Sequence, residues 1–170
     1  MALLTSVPLV ACVTVEDGPI EDVSDVRASA PERSGIDDPD GFNLAALDPK
    51  SLEEGECGLF LFTSNPSPRF VFFSNDSRGF AEMRIDGRDA LLQRVSTAGT
   101  PIVQSYSEQV FRDGRLGVEV ALTLNPGDPM TDGYEISSGA MRLTKGDGWS
   151  MVIPVSGAAA CQFTPRPDIG

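Results

Sequence analysis

The sequence predicts an all-β fold: a single antiparallel β-barrel or sandwich of about eight short strands, preceded by a disordered acidic N-terminal tether. Three observations predict it. Leu116, Val118, Val120, Leu122 and Leu124 alternate with Gly117, Glu119, Ala121 and Thr123, the period-2 pattern of a strand with one buried face. Turn signals built on glycine recur at short spacing from residue 57 onward, as in sandwiches and barrels. Charge is divided unevenly. Residues 13–56 hold thirteen acids and three bases, a net of −10, whereas residues 57–170 hold twelve acids and ten bases.

In chain order, residues 1–11 form an apolar leading segment and residues 12–56 the acidic tether, rich in Pro, Gly and Ser. Such a stretch buries too little apolar surface to offset its ordering entropy, and self-repulsion extends it. Within it, Asp48-Pro49 predicts a short helical turn, with Asp48 as N-cap and Pro49 at the first helical position. "DDPDGF" invites a calcium-loop reading that fails. With Gly41 at the invariant glycine, Ile36 and Leu47 fall on key ligand positions.

The β domain spans residues 57–163. "GLFLFTS" and "RFVFFS" flank "NPSP" and are apolar on both faces, which predicts a central hairpin with one face covered by another element or lining a lipid-sized cavity. "AEMRI" and "ALLQRV" flank Asp86-Gly87, and "SYSEQVF" and "LGVEVAL" flank Asp113-Gly114, both strong hairpin signals. "EISSGAMRL" and "WSMVIPV" flank Gly146-Asp147-Gly148. Gly139 predicts a bulge and Pro154 an edge or a bulge. Residues 164–170 are expected to be a disordered tail.

Several function classes drop out. The chain has no histidine, which removes Ser-His-Asp and Cys-His catalysis and His-ligated zinc. It has no G-x-S-x-G, S-x-x-K, P-loop, G-x-G-x-x-G or C-x-x-C, so no catalytic residue, cofactor or metal site is expected. An acidic tether repels phosphates and argues against nucleic acid. Asp86, Asp113, Asp128, Asp132 and Asp147 each lie beside or near a glycine, where turn chemistry accounts for them. Asn125–Gly133 reads as the longest irregular loop of the domain, offering Asp128, Met130 and Asp132 for binding. Arginine outnumbers lysine nine to one over residues 57–170. Arg84, Arg88 and Arg94, around the second hairpin, form a candidate docking face for an opposite charge, with a solvated strand face as the plainer reading.

There are three cysteines. Cys57 opens the apolar region and Cys161 nearly closes it. A bridge between them ties the domain's ends and is worth roughly 4–5 kcal/mol in the chain-entropy model. The alternative is two buried free thiols in a cytosolic chain. Leu9-Val10-Ala11-Cys12 resembles the lipobox of bacterial lipoproteins. That resemblance implies that residues 1–11 are a signal segment and that Cys12 is acylated to anchor the chain in a membrane. Val13 after the cysteine then implies sorting to the outer membrane, with the domain facing the periplasm. Beyond it, no run reaches the ~18–20 apolar residues of a transmembrane helix.

A cysteine on the first strand, repeated hairpins and a cysteine closing the last strand resemble the membrane-bound inhibitors of C-type lysozyme, small lipoproteins with a bridged β-barrel. "AEMRIDGRDALLQRVSTAG" is similar to the segment leading to their S-G-x-x-Y inhibitory loop. Here the corresponding residues are Ala98-Gly99-Thr100-Pro101-Ile102, and Ser138-Gly139-Ala140-Met141-Arg142 also lacks the tyrosine, so the motif is not carried over. Ala98, Gly99 and Thr100 remain the loop that such a resemblance marks for binding. "ECGLF" and "GWSMVIPVSGAAAC" are also similar to a group of small bacterial envelope proteins, a likeness that implies a compartment and no activity. The functions to be weighed are a non-catalytic envelope lipoprotein binding a protein or small ligand, an inhibitor of a lysozyme-type cell-wall hydrolase, and a hydrolase using carboxylates.

Overall fold

The structure is a computed structural model and describes residues 36–37, 43–64 and 67–163. The leading segment, Cys12, the tether through residue 35 and the tail 164–170 lie outside the described residues. In chain order the strands are β1 (Ile36–Asp37), β2 (Asn43–Ala45), β3 (Cys57–Thr63), β4 (Phe70–Asn75), β5 (Phe80–Ile85), β6 (Arg88–Ile102), β7 (Ser105–Asp113), β8 (Val118–Met130), β9 (Gly133–Lys145) and β10 (Ser150–Cys161).

Strands β3 to β10 each pair antiparallel with the next in sequence, and β10 returns to β3, so eight strands close an up-and-down barrel. Every expected hairpin forms, and closure decides between barrel and sandwich. The alternation read from the sequence selects what points inward. Leu59, Leu61, Phe72, Met83, Leu92, Phe111, Val120 and Leu143 are all fully buried. An eight-strand barrel is just wide enough for side chains to fill it. Phe72 and Phe111 meet edge to face across the core, centroids 5.3 Å apart.

One gap in the barrel wall is filled from outside it. The β4–β5 ladder ends at Phe73↔Glu82, and beyond it β5 pairs instead with β2 through Leu44↔Ile85 and Ala45↔Arg84. The Leu47 N–H donates to the Phe70 carbonyl of β4 at 2.7 Å. Strand β2 is therefore a wedge between two splayed strands, and Leu44 joins the core with no exposed surface. Residues 43–56, read from the sequence as the end of the tether, are thus part of the barrel's wall and coat. Asp48 and Pro49 lie in an irregular strap with no helical turn. The Asp48 carboxylate binds Arg84 at 3.0 Å. Tertiary pairing here supersedes the local cap.

The strap explains why β3 and β4 are apolar on both faces. Phe60, Phe62, Phe70 and Phe73 point outward and stack, with centroid separations of 5.1–6.0 Å. The strap runs over part of this stripe: Phe73 is only 4% exposed, whereas Phe62 at its far end is 37% exposed. The covered outer face, rather than a lipid-sized cavity, accounts for the pattern. Four ion pairs clip the strap down: Asp48–Arg84, Lys50–Glu82, Arg78–Glu53 and Arg78–Glu56. Exposed pairs of this kind contribute little each. Backbone bonds between Gly55, Glu56 and Gln162 finish the seam at 2.7–2.8 Å.

Cys57 and Cys161 form a disulfide at a directly opposed pair of β3 and β10. The Cys57 carbonyl accepts from Asp76 and the Cys161 N–H donates to Asp132, so neither bonds the other's backbone. Opposed residues of this type bring their Cα atoms closer than hydrogen-bonded pairs do, which lets a cross-strand bridge form here.

Four strands are longer than expected, at 12–15 residues. The stretch Asn125–Gly133 is ladder rather than loop, with Thr131-Asp132 as its turn. Register shifts between Asn125 and Pro129 absorb both prolines. Gly139 stands beside a register shift, between Val155 and Gly157 of the neighbouring β10. Pro154 lies just outside the β3–β10 ladder, which starts at Val155↔Thr63.

Candidate functional site

The barrel has two unlike ends. The disulfide end gathers the bridge, the β4–β5 turn and the tips of the β6–β7 and β8–β9 hairpins. The opposite end gathers the Asp-Gly turns. Chemistry concentrates at the disulfide end, in a buried polar cluster and a surface groove.

The cluster begins with β6, where bulges between Arg94 and Ser96 and between Ala98 and Pro101 bend the strand. The second contains Gly99 at φ +77°, where a side chain would run into Ser107. The bend lays the β6–β7 tip across the mouth of the barrel. Ile102 plugs it at 1% exposed, and the Ser77 hydroxyl donates to Gln104 at 3.3 Å. Beneath this lid, Arg94 donates to the Asp76 carboxylate at 2.9 Å and to the Asp76 carbonyl at 3.0 Å. Gln109 donates to Ser105 at 2.7 Å, and Ser74 to Asp76 at 3.3 Å. Burial pushes the Asp76 carboxyl up to about 6, against the opposing pull of Arg94, Ser74 and Ser105. Each polar group here has a partner, so the cluster closes the mouth and offers no unsatisfied group to a ligand.

The groove lies outside the barrel at the same end and encloses about 620 Å³. Leu52 of the strap and Phe60 of β3 form one wall. Met130, Thr131 and Asp132 of the β8–β9 tip form the other, and Ala160 lies between. Small residues make the depression: Ala160 is flanked by Gly58 on β3 and Gly133 on β9. A side chain at Gly133 would collide with the Ala159 carbonyl, so the backbones pack closely there. Of the expected loop residues, Met130 and Asp132 thus line the groove, while Asp128 is exposed on β8 beside it.

The other expected residues disperse. Ala98, Gly99 and Thr100 are exposed, but they belong to a bulged strand of the lid rather than to a loop. Arg84, Arg88 and Arg94 do not share a face. Arg84 points outward and is held by Asp89 at 2.7 Å and Asp48 at 3.0 Å, whose hydrogen bonds keep its guanidinium even more firmly protonated than usual. Arg88 lies at the opposite end, beside a hollow of about 320 Å³ shared with Asp86, Lys145 and Asp147. Arg94 turns under the lid to Asp76 at the disulfide end. Neighbours in sequence here alternate faces and run the length of a long strand, so closeness in the chain does not become a patch.

The turn aspartates mostly serve their turns. Asp113 accepts from the Arg115 and Leu116 N–H groups at 2.8 and 3.1 Å, Asp147 from Trp149 at 3.0 Å, and Asp86 from Asn43 at 2.9 Å. Among the described residues no group of three or more Cys, Asp or Glu could hold a metal ion. Sequence reading missed Asp76, Ser105 and Gln109. The one signal available was a lone acid in "SNDSRG", which reads as another turn. Comparison of the chain with protein-family models, with curated proteins and with solved structures finds no match.

Proposed function

We propose that this chain is an exported, membrane-tethered binding module. A disulfide-closed barrel is held away from the bacterial envelope by an acidic tether, takes a protein or small ligand on its surface and performs no chemistry on it. The disulfide carries this reading. Such bridges form and persist in oxidising compartments, and this one leaves Cys12, in its lipobox-like setting, as the odd cysteine. Acylation of Cys12 anchors the chain, and Val13 directs it to the outer membrane with the barrel facing the periplasm.

Binding rather than catalysis is favoured because the chain lacks histidine and because Asp113 and Asp147 are engaged in their own turns and Asp86 in holding Asn43 of β2. A second reading, an inhibitor of a lysozyme-type cell-wall hydrolase, is supported by one observation. The β8–β9 hairpin is paired with β7 only as far as Thr123 and continues past it to Met130. Its β9 strand stays laddered to β10 as far as Gly133↔Ala160, so what the hairpin offers a partner's cleft is its β8 edge and its tip.

The test is the intact mass of the protein recovered from the membrane fraction of its own host. The expected species starts at Cys12, carries added acyl mass and lacks two hydrogens for the bridge. A chain retaining Met1 with free thiols overturns export and anchoring together. Loss of muramidase activity on adding the purified protein supports the inhibitor reading.

A further inference from the structure

We propose that the groove at the disulfide end is the docking site for a cationic segment of a partner protein that presents an apolar side chain. The apolar group sits against Phe60, Ala160 and Met130, and the cations lie beside Asp132. This rests on the binding-module reading above and names where and what it binds.

Size and lining fit such an occupant. About 620 Å³ is in the range that accepts a large side chain with its neighbours. Met130 is 50% exposed at the groove's wall, and an exposed methionine adapts its shape to what packs on it. Charge then selects among partners. Residues 95–111 and 120–141, which include both hairpin tips, contain Glu108, Asp128, Asp132 and Glu135 and no Lys or Arg. All four acids are exposed. Lys50, which also lines the groove, is already committed to Glu82, and Arg78 to Glu53 and Glu56. The resulting negative field attracts a cationic segment and steers its approach. It repels nucleic acid and anionic lipid. Ala160 at the groove's floor is paired on both sides, with Gly58 and with Gly133, so no open strand edge lies there and the occupant is held by its side chains and not as an added strand.

The test titrates the full, isotope-labelled chain with a capped peptide, Arg-Lys-Phe-Lys-Arg, followed by backbone amide shifts. Saturable shifts are expected at Met130, Thr131, Asp132, Ala160 and Gln162, weakening as salt is raised. Asp132→Lys and Met130→Ser should each lower affinity about ten-fold, the worth of one lost charge contact or apolar anchor. Met130 is half-exposed beside a turn, so Met130→Ser retains the fold, which unchanged amide positions elsewhere verify. A peptide with glutamates around the same phenylalanine should not bind. The assignment is overturned by shifts that are scattered or unsaturable, by equal binding of the glutamate peptide, or by full affinity in Met130→Ser. A protein recovered acylated and bridged that lacks this site loses the groove assignment and keeps the export reading. A reduced, unacylated protein that binds the peptide in the groove does the reverse.

Discussion

Burial holds the Asp76 carboxyl at about 6, while the ordinary aspartate value is 3.8. Between those values the folded chain keeps a proton that the unfolded chain has lost. Its contribution to stability therefore falls as pH rises through that window, and the full cost stands above it. The amount is on the order of 2–3 kcal/mol. Asp76→Asn removes the titration and retains an oxygen for Arg94. Urea unfolding of both proteins should show the wild type losing stability relative to the variant as pH rises from about 4 to about 7. A constant difference would mean that Arg94 compensates the buried charge in full. Asp76 was not legible as special in the sequence, because "SNDSRG" carries only turn chemistry. What distinguishes it is the lid, formed by residues almost thirty positions later.

Two strands gape where their neighbours end early, and the chain treats the two gaps differently. Between β4 and β5, strand β2 enters and Leu44 seals the core. Between β7 and β8 the ladder stops at Glu108↔Thr123, and among the described residues β8 then pairs only with β9. That leaves an edge at which another chain could pair, and Pro126 and Pro129 lie on it. Proline at an edge removes donors and blocks such pairing. Pro126→Thr with Pro129→Thr should therefore yield a protein that associates as its concentration rises, read by light scattering after size exclusion. A monomer at all concentrations would show that the bulges alone protect this edge. The prolines were legible, but as signs of a loop. Two breakers within four residues look like irregular chain until the partner strand β9 is seen to run alongside.

Closing the barrel joins β3 to β10, and Cys57 to Cys161 across a separation of 104 residues. Constraining so long a loop in the unfolded chain is worth about 4–5 kcal/mol in the entropy model. Cys57→Ser with Cys161→Ser should lower unfolding free energy by that order in urea titrations, and dithiothreitol should do the same to the wild type. An unchanged midpoint would mean that the strap and the β3–β10 ladder already hold the seam. The charge division matters at this scale as well. Exposed acids without a nearby base concentrate on the hairpins of the disulfide end, whereas at the other end Arg88 and Lys145 are matched by Asp86 and Asp147. The negative field therefore belongs to one end of the barrel and not to both.

Strand content, hairpin positions and the two cysteines that meet were all legible in residue order. Period-2 alternation, turn glycines and loop ends are local signals, and a strand's faces follow from its own pleat. The two-faced apolarity of "GLFLFTS" and "RFVFFS" also implied a cover for the outer face without revealing what supplies it. That the cover is the strap of residues 43–56, that Arg84, Arg88 and Arg94 part company, and that Met130 and Asp132 come to face Phe60 depend on closure. Closure sets which distant strands become neighbours and where each splays or bulges. No stretch of sequence contains that information, because it arises from the balance of all eight ladders around one core.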